Sequence, residues 1–247
     1  MNGKVRRLAL MTAIGALVLS NTSFAADAIH KNTDGAVVST QGIIVKSGEK
    51  FAFLGASISE FGWSHPTGYI QLTIKTLTDN GVKIVPIPAG VSGNSSRDML
   101  ARLDRDVIGK KPDWVTIDAG GNDVWHGDVP FDEYMTNMTA IVDKSQAAGI
   151  RVVIQTCTPI MEDLNGPFNT KMAYFNQFLR YLAGQKHCVL ADLNGGAVAI
   201  LKAKTGTDNV LTTDGVHMNE RGDRVMATGL LEALGLTDAQ IAKTIAR

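Results

Sequence analysis

The chain has 247 residues, 45% of them hydrophobic and 19% charged, with 24 basic residues against 24 acidic ones. That balance excludes the strongly basic surface that nucleic acid or an anionic membrane would need. No repeat, low-complexity tract or internal linker interrupts it, and roughly 220 residues beyond an N-terminal leader suit one domain with a sizeable core.

The leader comes first in chain order. MNGKVRR is a basic start, LALMTAIGALVLS is an apolar run too short to span a bilayer comfortably, and SFA offers the small residues of a cleavage site ending at Ala25. Residues 1–25 are therefore expected to be a signal peptide and residues 26–247 one exported domain, periplasmic or secreted, without an integral membrane segment after cleavage. Cleavage removes Lys4, Arg6 and Arg7 and no acidic residue, which leaves a net charge of −3. Residues 27–40 read as a loosely ordered lead-in, and GIIVKSGEK (42–50) as a short edge strand or hairpin.

Five apolar, β-like runs follow: FAFLG (51–55), VKIVPIPAG (82–90), WVTIDAGG (114–121), RVVIQTCTP (151–159) and CVLADLN (188–194). Helical spacing fills the gaps. Ile70, Ile74 and Leu77 precede Asn80-Gly81; Tyr134, Met138, Ile141 and Val142 precede Gly149; Met172, Phe175, Leu179 and Leu182 precede Gly184. Strand–helix alternation predicts a parallel sheet covered on both faces, because each parallel crossover needs a connection long enough to hold a helix. Two cysteines in an exported chain invite a disulfide. Cys157 closes one run and Cys188 opens the next, so on neighbouring parallel strands they would lie at opposite ends, about 15 to 20 Å apart. Two free thiols are expected.

In open α/β sheets ligands bind beyond the carboxyl ends of the strands. After FAFLG comes Ser57, pushed out by a tight turn. AGVSGNSS is small and Gly-rich, so that Gly93 can present its N–H; GGNDVW places the Asn122 amide on the same edge. TTDGVHMNERG sets Asp214 three residues before His217, ahead of a helix that Asn219 can cap. Acyl transfer requires such parts: a hydroxyl nucleophile, an imidazole to take its proton, a carboxylate to orient the imidazole, and donors for the oxyanion. Taken singly, Gly93 reads equally as a turn residue, and Asn122 with Asp123 as a helix cap. His30, His65, His126 and His187 compete with His217 for the base; His126 lies close to Asn122 and can line the cleft without serving as the base. Trp63 and Trp125 fit an acyl wall, a sugar platform or plain packing.

Over nearly the whole exported part, the sequence resembles the SGNH hydrolases, the GDSL esterase and lipase family. GASIS resembles its first block with Ser57 as nucleophile, GVSGNSS the second with Gly93, GGND the third with Asn122, and DGVH the last with Asp214 and His217. The resemblance implies a flavodoxin-like three-layer α/β/α sandwich with a mainly parallel five-stranded sheet. It implies ester hydrolysis with no metal or organic cofactor, and an oxyanion hole made by Ser57, Gly93 and Asn122. The substrate expected is a small-molecule, glycan or lipid ester, first a lysophospholipase-like one. A carbohydrate O-acetyl ester is the second choice, and a catalytically silent glycan- or lipid-binding module the third. The third arises because the family has aspartate where this chain has Ala56. If that aspartate braces the nucleophile turn, its loss costs about 1 to 3 kcal/mol, or ten- to a hundredfold in rate.

Overall fold

The apolar runs pair into one sheet in a computed structural model that describes residues 42–245 and the backbone of Ile29–Lys31 and Val37–Ser39. The expected signal peptide lies outside the described residues. Two short strands, β1 (Ile29–Lys31) and β2 (Val37–Ser39), form an antiparallel hairpin within the expected lead-in. The main sheet contains β3 (Lys50–Gly55), β4 (Val85–Gly90), β5 (Trp114–Asp118), β6 (Arg151–Gln155) and β7 (Val189–Ala191), in the order β4-β3-β5-β6-β7 with every neighbour parallel. This is the expected three-layer sandwich.

Alternation along the strands decides which layer each residue meets. Ala52, Leu54, Val115, Ile117, Val152 and Ile154 enter one core, with Met99, Leu103, Tyr134, Met138, Met172 and Leu179. Those partners come from α3 (Ser96–Asp106), α5 (Phe131–Ala147) and α6 (Pro167–Gln185). Phe51, Phe53, Trp114 and Val153 enter the other, with Tyr69 and Leu77 of α2 (Tyr69–Asp79) and Met226 and Leu230 of α8 (Glu220–Ala233). Burying Phe51 or Phe53 fully contributes about 1.5 to 3 kcal/mol each.

Three local expectations change. The 42–50 segment forms no strand of its own before Lys50, where β3 begins: its Ile44 N–H donates to the Leu234 carbonyl at 3.0 Å and its Gly48 N–H to that of Lys83 at 2.8 Å. The nearby sheet edge cannot accept it, because Pro86 and Pro88 remove two donors from β4. Secondly, α6 runs through Gly184 and stops at His187, which takes the left-handed conformation (φ 53°) while the Cys188 N–H bonds to the Ala183 carbonyl at 2.9 Å. Helices α2 and α5, by contrast, stop at the glycines expected. Thirdly, α3 is an element beyond those expected: a capping box between Ser95 and Asp98 starts it, and Met99, Leu103 and Val107, four residues apart, turn its apolar stripe to the core.

Both thiols are free. Cys157 follows the carboxyl end of β6 and Cys188 precedes the amino end of β7, so parallel pairing sets them at opposite ends. Among the described residues, no helix is long and apolar enough to cross a membrane.

Candidate active site

Sheet register brings three strand ends together. Gly55 of β3 stands opposite both Gly90 of β4 and Asp118 of β5, so the segments that follow these strands share one edge. Ser57 does not sit in an open turn there; it is the first residue of α1 (Ser57–Ser64), with Ala56 as an N-cap that makes no side-chain hydrogen bond. The helix thus presents the start of its own N–H array, and its positive end, where Ser57 stands.

Ser57 meets His217 and Asp214 in one line. His217 Nε2 lies 2.9 Å from Ser57 Oγ, and His217 Nδ1 lies 2.7 Å from Asp214 Oδ2. With Nδ1–H donating to the carboxylate, Nε2 is left to accept the serine proton, the tautomer assigned from this network. The other Asp214 oxygen accepts the backbone N–H groups of Val216 (2.9 Å) and His217 (2.8 Å). Burial works to raise the Asp214 carboxyl, but the ring and backbone bonds from His217 and the Val216 N–H hold it at about 2. Asn219 caps α8 as expected, accepting from the N–H groups of Arg221 and Gly222.

Gly93 sits in a turn between Val91 and Asn94 with φ of +80°, a conformation that favours glycine. Three elements grip this turn. Glu60 of α1 accepts the Ser92 hydroxyl and, at 2.7 Å, the Ser92 N–H, bonds that hold its carboxyl below the usual range. Arg102 of α3 donates to Asn94 Oδ1 at 2.6 Å and to the Gly55 carbonyl at 2.9 Å, joining the turn to the strand behind Ser57. Asn122, in α4 (Gly121–His126), donates one amide hydrogen to the Asn94 carbonyl at 2.9 Å and keeps a second. Gly93 and Asn122 therefore belong to adjoining segments. Asp123, buried, accepts the Ser96 N–H at 3.1 Å and fastens α4 to the start of α3.

Two residues beyond Ser57, Ser59 joins a cluster of three polar side chains. Ser59 Oγ donates to Asp118 Oδ2 at 3.1 Å and contacts the Tyr69 hydroxyl at 2.8 Å. Desolvation pushes the Asp118 carboxyl up to about 6, against the Ser59 bond that lowers it. Sequence reasoning missed Glu60, Arg102 and Asp118. Only Asp118 carried a signal, a carboxylate ending an apolar strand.

The competing residues separate by position. His65 stacks on Phe61 at 5.7 Å, His126 is exposed at the end of α4, and His187 ends α6. Trp63 packs on the core beneath α2 and α8, whereas Trp125 is exposed and stacks on Phe168 at 4.8 Å. A cavity of about 440 Å³ adjoins the imidazole, lined by Phe61, His65, Thr67, Thr213, His217 and Glu220 among others. Another, of about 560 Å³ beside α7 (Leu193–Lys202), includes none of Ser57, Asp214 and His217. Among the described residues no group of three or more His, Cys, Asp or Glu side chains is placed to hold a metal ion.

Similarity to known proteins agrees with this geometry. Residues 53–225 match the model of the GDSL-like lipase/acylhydrolase family. An acetylxylan esterase of Geobacillus stearothermophilus is 29% identical over 214 residues, 77% of this chain and 96% of that protein. Esterase TesA of Pseudomonas aeruginosa is 28% identical over 168 residues, 66% of this chain and 77% of its own. A crystal structure of the Geobacillus stearothermophilus acetylxylan esterase superposes with a TM-score of 0.71 at 28% identity, covering 78% of this chain and 97% of that one. The match spans every strand-end segment described above, and the chain belongs to the GDSL-like lipase/acylhydrolase family of carboxylic ester hydrolases.

Proposed function

We propose that the protein is an exported carbohydrate O-acetyl esterase working through an acyl-enzyme on Ser57. His217 takes the Ser57 proton as the hydroxyl attacks the ester carbonyl, and Asp214 holds the imidazole in the tautomer this requires. The oxyanion is held by the N–H groups of Ser57 and Gly93 and the free Asn122 hydrogen. His217 then passes that proton to the leaving sugar oxygen, which departs as the hydroxyl, and afterwards activates the water that releases acetate.

The observation that carries the chemistry is the unbroken hydrogen-bonded line from Ser57 through His217 to Asp214. It supports hydrolysis over the silent-module reading that Ala56 raised. For the substrate, the relatives with acetylxylan names turn the first expectation, a lysophospholipase-like lipid ester, to second place. A periplasmic or secreted location suits a polymeric carbohydrate substrate. The test is a panel of p-nitrophenyl esters of rising chain length beside acetylated xylo-oligosaccharides and a lysophospholipid. Acetate release with sharp loss beyond short acyl chains is expected. Preference for long chains or the lysophospholipid would restore the lipid reading, and inertness on all would favour a binding module.

A further inference from the structure

The loop carrying Asp214 and His217 is gripped from outside the site by a feature the mechanism leaves unused. Glu162 follows β6, is 6% exposed, and receives donors from one short stretch. Its Oε1 accepts the N–H groups of Leu211 (2.7 Å) and Thr212 (2.8 Å) and the Thr212 hydroxyl (2.8 Å). Its Oε2 accepts the Val210 N–H at 2.7 Å and the Lys204 ammonium at 3.2 Å. We infer that Glu162 is a positioning residue for the reaction, fixing the stem of the Asp214–His217 loop so that the imidazole stays in reach of Ser57.

Three further observations tie the grip to this loop. The bonds fall on residues 210–212, immediately before Thr213, and that hairpin closes through Thr213 N–H to the His217 carbonyl at 2.8 Å and Asn219 N–H to the Leu211 carbonyl at 3.0 Å. Movement at 210–212 is therefore carried to the ring. The neighbouring Met161 N–H donates to the Gly215 carbonyl at 2.6 Å, between the acid and the base. Gly215 is shaped for that approach, since at φ +93° a Cβ would stand 2.6 Å from Met161 Sδ. Lastly, Met161 and Glu162 both take left-handed backbone, φ 58° and 53°. Two consecutive non-glycine residues hold that conformation only where surrounding bonds over-determine it, and such strain concentrates at functional sites. Burial works to raise the Glu162 carboxyl, but the Val210 and Leu211 N–H groups, Thr212 and Lys204 hold it at about 2, so it is an ionised acceptor near neutral pH. A displacement of about 1 Å at a catalytic group costs on the order of a hundredfold in rate.

The inference rests on Ser57, His217 and Asp214 being the catalytic residues. Glu162→Gln keeps the shape but turns an amide NH2 toward donors that need an acceptor. Steady-state kinetics on p-nitrophenyl acetate should show kcat reduced ten- to a hundredfold with KM within about threefold, and an unchanged circular dichroism spectrum. The downfield proton resonance of the His217 Nδ1–H bond to Asp214 should weaken in parallel. Thr212→Val, which removes one donor and no backbone bond, should lower kcat about threefold to tenfold, and it serves alone if Glu162→Gln does not fold. Wild-type kcat in the folded variants, or a loss confined to KM with the downfield resonance intact, overturns the inference. Wild-type protein inert on every ester, or fully active Ser57→Ala, would instead overturn the catalytic reading beneath it.

Discussion

Replacing Ala56 by aspartate tests how this chain does without the family carboxylate. Ala56 is the N-cap of α1, with φ −102° and ψ −142° and no side-chain bond to the helix. A carboxylate introduced there by Ala56→Asp reaches the N–H groups of the first turn, one or two residues beyond Ser57, and leaves the Ser57 N–H for the oxyanion. Restoring a capping acceptor contributes about 0.5 to 2 kcal/mol, and a negative charge at a helix N-terminus about 0.3 to 1 kcal/mol more. Against this stands partial burial, since Ala56 packs against the core formed with α3, α5 and α6. We expect a net gain of about 1 kcal/mol, seen in urea denaturation and as a rise of about 2 to 4 °C in melting temperature for a domain of this size. Turnover should change by no more than about a hundredfold, with acyl preference unaltered, because Arg102 and Glu60 already hold the Gly93 turn. Destabilisation by more than about 1 kcal/mol would refute the capping argument. A wild-type protein inert on every ester and switched on only by Ala56→Asp would refute the claim that the site survives without the carboxylate.

Three other outcomes are expected. Asp118, displaced from 3.8 to about 6 by desolvation, binds its proton more tightly in the folded state, so its protonated form stabilises below about pH 4 and that stability is lost as pH rises through 6. Asp118→Asn should therefore gain stability relative to wild type between pH 4 and pH 8, by on the order of 2 kcal/mol; an unchanged difference in urea titrations would contradict this. Mass spectrometry of unreduced protein alkylated after denaturation should find Cys157 and Cys188 both modified. In the native state labelling should be slow, because burial pushes the Cys188 thiol up to about 12 and raises that of Cys157 well above its ordinary value. Gly184→Ala, inside α6 with open space for a Cβ, should raise stability by about 0.4 to 1 kcal/mol, and a lower melting temperature would count against the helix continuing there.

The fold was legible where sequence and tertiary packing ask for the same thing. FAFLG is apolar at every position because both its faces are covered, and glycine marks the stops of α2 and α5 because a left-handed residue is needed there. Helix α3 was less legible, since its many charged residues dilute the four-residue spacing of Met99, Leu103 and Val107 behind its cap. The absence of an edge strand at 42–50 was not legible, since it depends on prolines in β4 some forty residues away. Ser57, Asp214 and His217 could be named from short motifs because their roles need fixed residue types beside strand ends. Glu60, Arg102 and Glu162 could not. Their partners lie 32 to 50 residues distant for Glu60 on Ser92, Arg102 on Gly55 and Glu162 on Thr212, so only the folded chain brings them together.

Labelling with a fluorophosphonate tests the central claim most directly. Peptide mapping of the labelled protein should place one adduct on Ser57, formed in step with loss of acetate release from acetylated xylo-oligosaccharides, and Ser57→Ala should be unlabelled, inert and folded. An adduct on another serine, or continued acetate release by Ser57→Ala, would contradict the account.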